Sequence, residues 1–200
     1  MRNIWMIAGL AVLLAACEQK KQLPVLGAVG HTVPAFGLTD QDSNAVSNAT
    51  FKGKIYVADF FFTSCPTICP KMQVQMQRVN EKFRDNPDVL LLSHSIDPRH
   101  DTPSVLKTYA ENLAADSRKW HFVTGDKEKI FELGQRGYMV AAKEDPTAPG
   151  GILHSGALIL VDRQQRIRGF YDGTQPNQVT DLLYDIETLL KETSTNAPAN

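Results

Sequence analysis

Two hydrophobic patterns alternate along the chain. Ile55 to Phe62 (IYVADFFF) is a near-continuous apolar run rich in aromatic and β-branched residues, the pattern of a strand buried on both faces of a sheet, and Val89 to Ile96 repeats it. Between them Ile68, Met72, Met76, Val79 and Phe83 recur at three- and four-residue steps. That stripe predicts a helix over 66–84, with Pro66 and Pro70 confined to an irregular first turn. Further helices are expected from Thr102-Pro103 to about Ala115, from Asp126 to Tyr138, and from Gln175-Pro176-Asn177 to Lys191. Further strands are expected at Trp120 to Val123, at Ser155 to Val161 with His154 opening it, and at Arg166 to Tyr171. Val33 to Leu38 and Ala45 to Thr50 form a candidate hairpin turning at 40–44. Strands alternating with helices and closed by a hairpin predict an α/β fold: a central mixed sheet flanked by helices, with an N-terminal β-hairpin extension.

The first residues follow another pattern. Arg2 precedes an uncharged run from Ile4 to Ala16, short for a membrane span of about 20 residues but long enough for the apolar part of a signal peptide. It ends in Leu14-Ala15-Ala16-Cys17, which resembles the lipobox of bacterial lipoproteins and implies cleavage before Cys17 and lipid attachment there. An uncleaved N-terminal anchor is the other reading, and both place the domain outside the cytoplasm. The expected organisation is a signal peptide at 1–16, a lipidated tether at 17–32, one domain at 33–192 and a disordered tail at 193–200. The expected location is the periplasmic side of a bacterial envelope, on the inner membrane.

Composition narrows the function. The chain has 200 residues, enough for one domain with a proper core, and 21 basic residues against 22 acidic ones. This balance gives no electrostatic footprint for nucleic acid, and no basic run along the sequence suggests an electrostatic membrane patch. The five histidines are scattered, so no His-rich metal tract exists. If lipid takes Cys17, one cysteine pair remains: Cys65-Pro66-Thr67-Ile68-Cys69.

On a helix, residues four apart share a face, with Cβ atoms about 6 Å apart. Helix-start N–H groups favour the thiolate, the nucleophilic and metal-binding form. Thiolates are soft ligands that select Cu(I), zinc or iron–sulfur clusters, and two of them alone leave a copper ion short of ligands. A strand leading into cysteines at a helix start is thioredoxin-like architecture. A structural disulfide competes, although a bridge over three residues removes little chain entropy. His154, after the Pro/Gly-rich loop 143–151, is the candidate third ligand.

Three segments together resemble the Sco/SenC family of copper chaperones: Phe61 to Pro70 (FFTSCPTICP), Ser95 to Pro103 (SIDPRHDTP), and His154-Ser155. The resemblance spans residues 33 to 190. It implies a thioredoxin-like fold and copper, Cu(I) or Cu(II), bound by Cys65, Cys69 and His154. It also implies a role in maturing the dinuclear copper site of cytochrome c oxidase, with that oxidase's copper-bearing subunit, other copper carriers and thiol reductants as partners. Leu153 departs from the pattern, since many relatives carry Asp before the histidine.

A metallochaperone is thus expected rather than an enzyme. A thiol–disulfide reductase using the same redox pair is the alternative, and a thiol peroxidase is a third class disfavoured by Phe62 and Ala58 at its motif positions. His94 is expected to be satisfied within a strand and His100 to lie in a solvated loop, while His31 and His121 receive no role. Met72 and Met76 are expected in the core. Asp97 is expected to shape its loop and Asp101-Thr102-Pro103 to cap the next helix.

Overall fold

The computed structural model describes residues 22–144 and 152–192. Seven strands form one mixed sheet in the order β2-β1-β5-β4-β3-β8-β9. At its centre β3 (Ile55–Phe61) and β4 (Val89–Ser95) pair in parallel, Ile55 with Val89 through Phe61 with Ser95, and every residue of both is buried. β5 (Trp120–Thr124) continues the parallel set. β8 (Ala157–Val161) runs antiparallel to β3, and β9 (Ile167–Asp172) returns beside it.

The N-terminal hairpin is shorter than expected. β1 (Gly37–Asp40) pairs with β2 (Ala45–Ser47), and 48–51 coil into a 3₁₀ turn capped by Ser47 and Thr50. β1 also pairs with β5, so the hairpin extends the main sheet.

Helices cover both faces. α1 (Cys69–Lys82) lies between two others: Gln77 donates to the Leu113 carbonyl at the end of α2 (Pro103–Asn112), and Arg78 bonds Thr180 of α4 (Pro176–Lys191). Met72, Met76 and Val79 are fully buried on α1's inner face. On the other face Phe36, Phe51, Tyr56, Phe60, His94 and Tyr138 form an aromatic layer.

The helix expected over 126–138 is α3 (Lys127–Glu132), followed by a π turn at Leu133–Gly137 in which the Tyr138 N–H reaches the Leu133 carbonyl. Gly137 stands where this turn meets the N-terminal segment. A Cβ there would stand 2.9 Å from both Pro34 and Leu133, so the N-terminal segment passes only over a glycine.

Packing reaches back to Leu23, ten residues ahead of the boundary that the sequence suggests. Leu23 and Val33 are buried, Leu26 bridges Ile167, and the Val33 N–H meets the Gln165 carbonyl. Among the described residues no helix is long and apolar enough to cross a membrane. Residues 1–21, with the expected signal segment and Cys17, and the tail 193–200 lie outside the described residues.

Candidate functional site: a dithiol at the carboxyl edge of the sheet

β3 delivers the chain into a turn at the C-terminal edge of the parallel strands. The Cys65 N–H donates to the Phe62 carbonyl, at 3.2 Å, and α1 opens four residues later with Cys69 itself. The two cysteines therefore do not share a helical face, as the four-residue step suggested. Pro70 sets the start: with the helix begun one turn earlier, its ring would meet the carbonyl of Pro66 and its missing N–H would break the ladder. At the second helical position it costs nothing.

The turn still joins the thiols. Neither is in a disulfide, Cys65 is 7% exposed and Cys69 1%, and their side chains hydrogen-bond each other. Burial pushes the Cys65 thiol up. The bond from Cys69, the N–H groups of Thr67 and Cys69 and the Thr67 hydroxyl outweigh it and hold the thiol below its ordinary value. Cys69 goes the other way. Burial, the bond to Cys65 and the charges of Cys65 and Asp59 push it well up, opposed only by the Phe62 backbone. One thiol is thus poised to ionise first and its neighbour to keep its proton, and a pair of soft donors so placed fits a soft ion.

Three supports around the pair escaped sequence reasoning. Asp101 is fully buried and does not cap α2. Thr102 does, through the Val105 N–H, while the Asp101 carboxylate accepts from Thr63 and Ser95. Asp59 of β3 is fully buried, and its Oδ2 accepts from Gln73, one turn beyond Cys69, at 2.9 Å. Its carboxyl is pushed up to about 7 by burial, with Ser93 and Gln73 opposing the rise. Tyr109 of α2 packs on Phe61 and Phe122. Its phenol is pushed up by burial and by the neighbouring Cys69, Asp59, Cys65 and Asp101, so it keeps its proton. The one sequence signal for the first was the crowding of Thr, Ser and Asp in two motifs 38 residues apart.

His154 does not open the long strand. It ends β7 (Ile152–His154), which pairs with β6 (Ala142–Glu144) in a separate two-stranded ribbon, His154 opposite Ala142. The chain then turns at Ser155, whose N–H meets the Ala141 carbonyl, and enters β8 at Ala157. Gly156, two residues past His154, sits so near the cysteine turn that a Cβ there would lie 3.9 Å from Ile68. Ile68, Ser155, Gly156 and Phe170 line one groove of about 510 Å³.

The remaining candidates settle as structure. Met72 and Met76 are fully buried, and His100 is exposed in its loop. His31 meets the Gly137 carbonyl at 2.9 Å, and His121 faces Asp40 at 3.4 Å. His94 is only half satisfied. Its Nδ1 lies 3.1 Å from the Asp59 carbonyl and its ring stacks on Phe60, but Nε2 has no partner among the described residues. Asp97 shapes its loop, with its carbonyl accepting from His100 and Asp101.

A dithiol at a helix start, set at the carboxyl edge of a mixed sheet with helices on both faces, defines a thioredoxin-like protein. Comparison places it further: the family model SCO1/SenC matches residues 27–191, and the chain belongs to that family. It is similar to a SCO1/SenC family lipoprotein from Bacillus anthracis, with 26% identity and a TM-score of 0.74 over 82% of this chain and all of that one. BsSco, described as a member of the Sco family of cytochrome c oxidase assembly proteins and the subject of a disulfide switch, matches at 28% identity and a TM-score of 0.74, covering 86% of this chain and 100% of its own. Bradyrhizobium japonicum ScoI with copper bound matches at 29% and a TM-score of 0.64, covering 80% of this chain and 99% of its own.

Proposed function

We propose that this protein is a membrane-anchored copper metallochaperone of the bacterial envelope. Cys65, Cys69 and His154 hold Cu(I) or Cu(II) as cargo, and the recipient is the dinuclear copper site of cytochrome c oxidase. A lipid on Cys17 fixes the domain on the periplasmic face of the inner membrane. The observation that carries the reading is the pair of mutually bonded, nearly buried thiols, with Gly156, which follows His154 by two residues, lying against Ile68 of the cysteine turn. The lipoprotein and copper-bound relatives support the anchor and the cargo.

The test is anaerobic copper titration of the reduced domain, with absorption spectra of Cu(II) on the wild type and on the Cys65→Ser, Cys69→Ser and His154→Ala variants. One equivalent should bind, with a thiolate-to-Cu(II) band that each cysteine variant loses and His154→Ala weakens. A reduced protein that takes up no copper ends the reading.

The asymmetry of the thiols favours a second reading, a thiol–disulfide reductase. The Cys65 thiolate attacks a partner disulfide and one partner sulfur leaves as thiol. Cys69 then loses its proton and displaces the other sulfur, closing the Cys65–Cys69 bond with two electrons transferred. In that case His154→Ala should leave the rate of partner reduction intact.

A further inference from the structure

Both ends of the described chain are pinned at one end of the sheet, the end away from the thiols. Arg168, at the start of β9 and 2% exposed, directs all its donors at this junction. It bonds the Leu23 and Pro24 carbonyls at 2.6 and 2.9 Å, Asp162 at 3.0 Å, and both oxygens of Glu192 at 3.0 and 3.1 Å. Glu192 in turn accepts from the Leu23 N–H. Arg163 reaches Asp88 and the Leu189 carbonyl, and the Ile55 N–H meets the Asp88 carbonyl. These contacts set the clamp beside the N-terminal ends of β3 and β4. The cysteine turn follows their C-terminal side, and the seven residues of β3 put about 20 Å between the two.

The ends of the sheet differ in charge. The turns 51–54, 84–88, 116–119 and 162–166, at the clamp end, carry seven Lys or Arg and four Asp, a net of +3 in a chain of net −1. The hairpin turn 40–44, at the far edge of the same end, adds Asp40 and Asp42, which face His121 and Lys107, and brings the net of the five turns to +1. At the thiol end the loops 62–68, 97–102, 125–126 and 172–175 carry one Arg and four Asp, a net of −3.

We infer that the clamp end of the sheet is a docking surface for an anionic phospholipid bilayer, so that the dithiol is presented away from the membrane. The inference rests on the lipid anchor at Cys17 proposed above. From Cys17 to clamped Leu23 is six residue steps, a reach of about 20 Å fully extended, with Lys20 and Lys21 inside it. A tether that short, fixed by a buried guanidinium, leaves the domain little freedom to roll. Cations facing the headgroups are attracted within a Debye length of the surface, and the acidic thiol end is repelled.

The experiment uses the full chain, processed by its own host, in vesicles of phosphatidylethanolamine and phosphatidylglycerol and in detergent micelles, with hydrogen exchange read by mass spectrometry. Amides of 51–54, 84–88 and 162–166 should exchange about fivefold or more slowly on vesicles, while 62–68 and 97–102 do not change. A variant with a long Gly-Ser insertion between Lys20 and Lys21, ahead of the clamped Leu23, should lose most of that protection. Intact mass separates the two readings. A Cys17 without lipid overturns the anchor and the orientation together. A lipidated protein whose clamp-end turns exchange as in micelles, or whose slowing centres on the thiol end, overturns the orientation and leaves the anchor standing.

Discussion

The Asp101 carboxylate grips Thr63 from both sides: Oδ2 accepts the Thr63 N–H at 3.1 Å and Oδ1 accepts its hydroxyl at 2.5 Å. Ser95 closes the same carboxylate at 2.5 Å. The turn that carries Cys65 thus hangs from a buried residue of the loop before α2. Asp101→Asn keeps the size but loses an acceptor, so a donor on Thr63 or Ser95 goes unpaired. Stability should fall by about 1–3 kcal/mol in thermal denaturation, and Cys65 should be alkylated faster as its turn loosens.

Asp59 and His94 should oppose each other in pH dependence. Burial raises the Asp59 carboxyl to about 7, so the folded state holds its proton more tightly and stability falls as pH rises from about 4 to about 7. Burial lowers the His94 imidazole to about 4, with the Asp59 carbonyl opposing, so the folded state holds its proton less tightly. Its contribution is full above the ordinary value of 6.5 and is lost as pH falls through about 4. Across the overlap the slopes cancel in part. Urea denaturation of Asp59→Asn should show stability rising between pH 4 and 6.5, and His94→Gln should show it falling over the Asp59 window. Equal slopes in both variants would refute the assignment.

The thiols should separate under alkylation. With iodoacetamide and the reduced protein, Cys65 should react first, with a pH midpoint below that of an ordinary thiol. Cys69 should remain unmodified at neutral pH. Thr67→Val removes one hydroxyl from Cys65, 3.9 Å from its sulfur, and should shift the midpoint upward. Peptide mapping of the singly alkylated product reads both outcomes.

Arg168→Met should destabilise by about 3–5 kcal/mol in urea, because it leaves Glu192 and Asp162 without the buried guanidinium. Asp162 keeps Arg166 at 2.7 Å, so much of the loss should sit at Glu192. Glu192→Gln in the Arg168→Met background should recover part of it.

What the sequence made legible followed from periodicity. The runs at 55–62 and 89–96 are the buried strands because helices cover both faces, and the Met72-Met76-Val79 stripe faces them. What it hid depended on distant or subtractive effects. Pro70 delays the helix to Cys69, so the pair is joined by a turn and not by a helical face. Gly137 leaves room for Pro34 to pass over the turn after Glu132, a contact with a distant segment that no local pattern carries. Asp101 resembles a cap in its local sequence, and its partner Thr63 lies 38 residues away. The Leu23 segment looked like a tether because its one strong anchor, Arg168, comes 145 residues later.

That anchor also closes the polypeptide into a near-ring. Leu23 and Glu192, 169 residues apart, touch through a single hydrogen bond of 3.3 Å, and the chain enters and leaves through one gate. Segments that continue the chain ahead of Leu23 and after Glu192 start from the same side of the molecule. A circularly permuted chain that joins Leu23 to Glu192 through a short linker and reopens at the 41–44 turn would keep every strand pairing of the sheet, with the dithiol untouched at its far end.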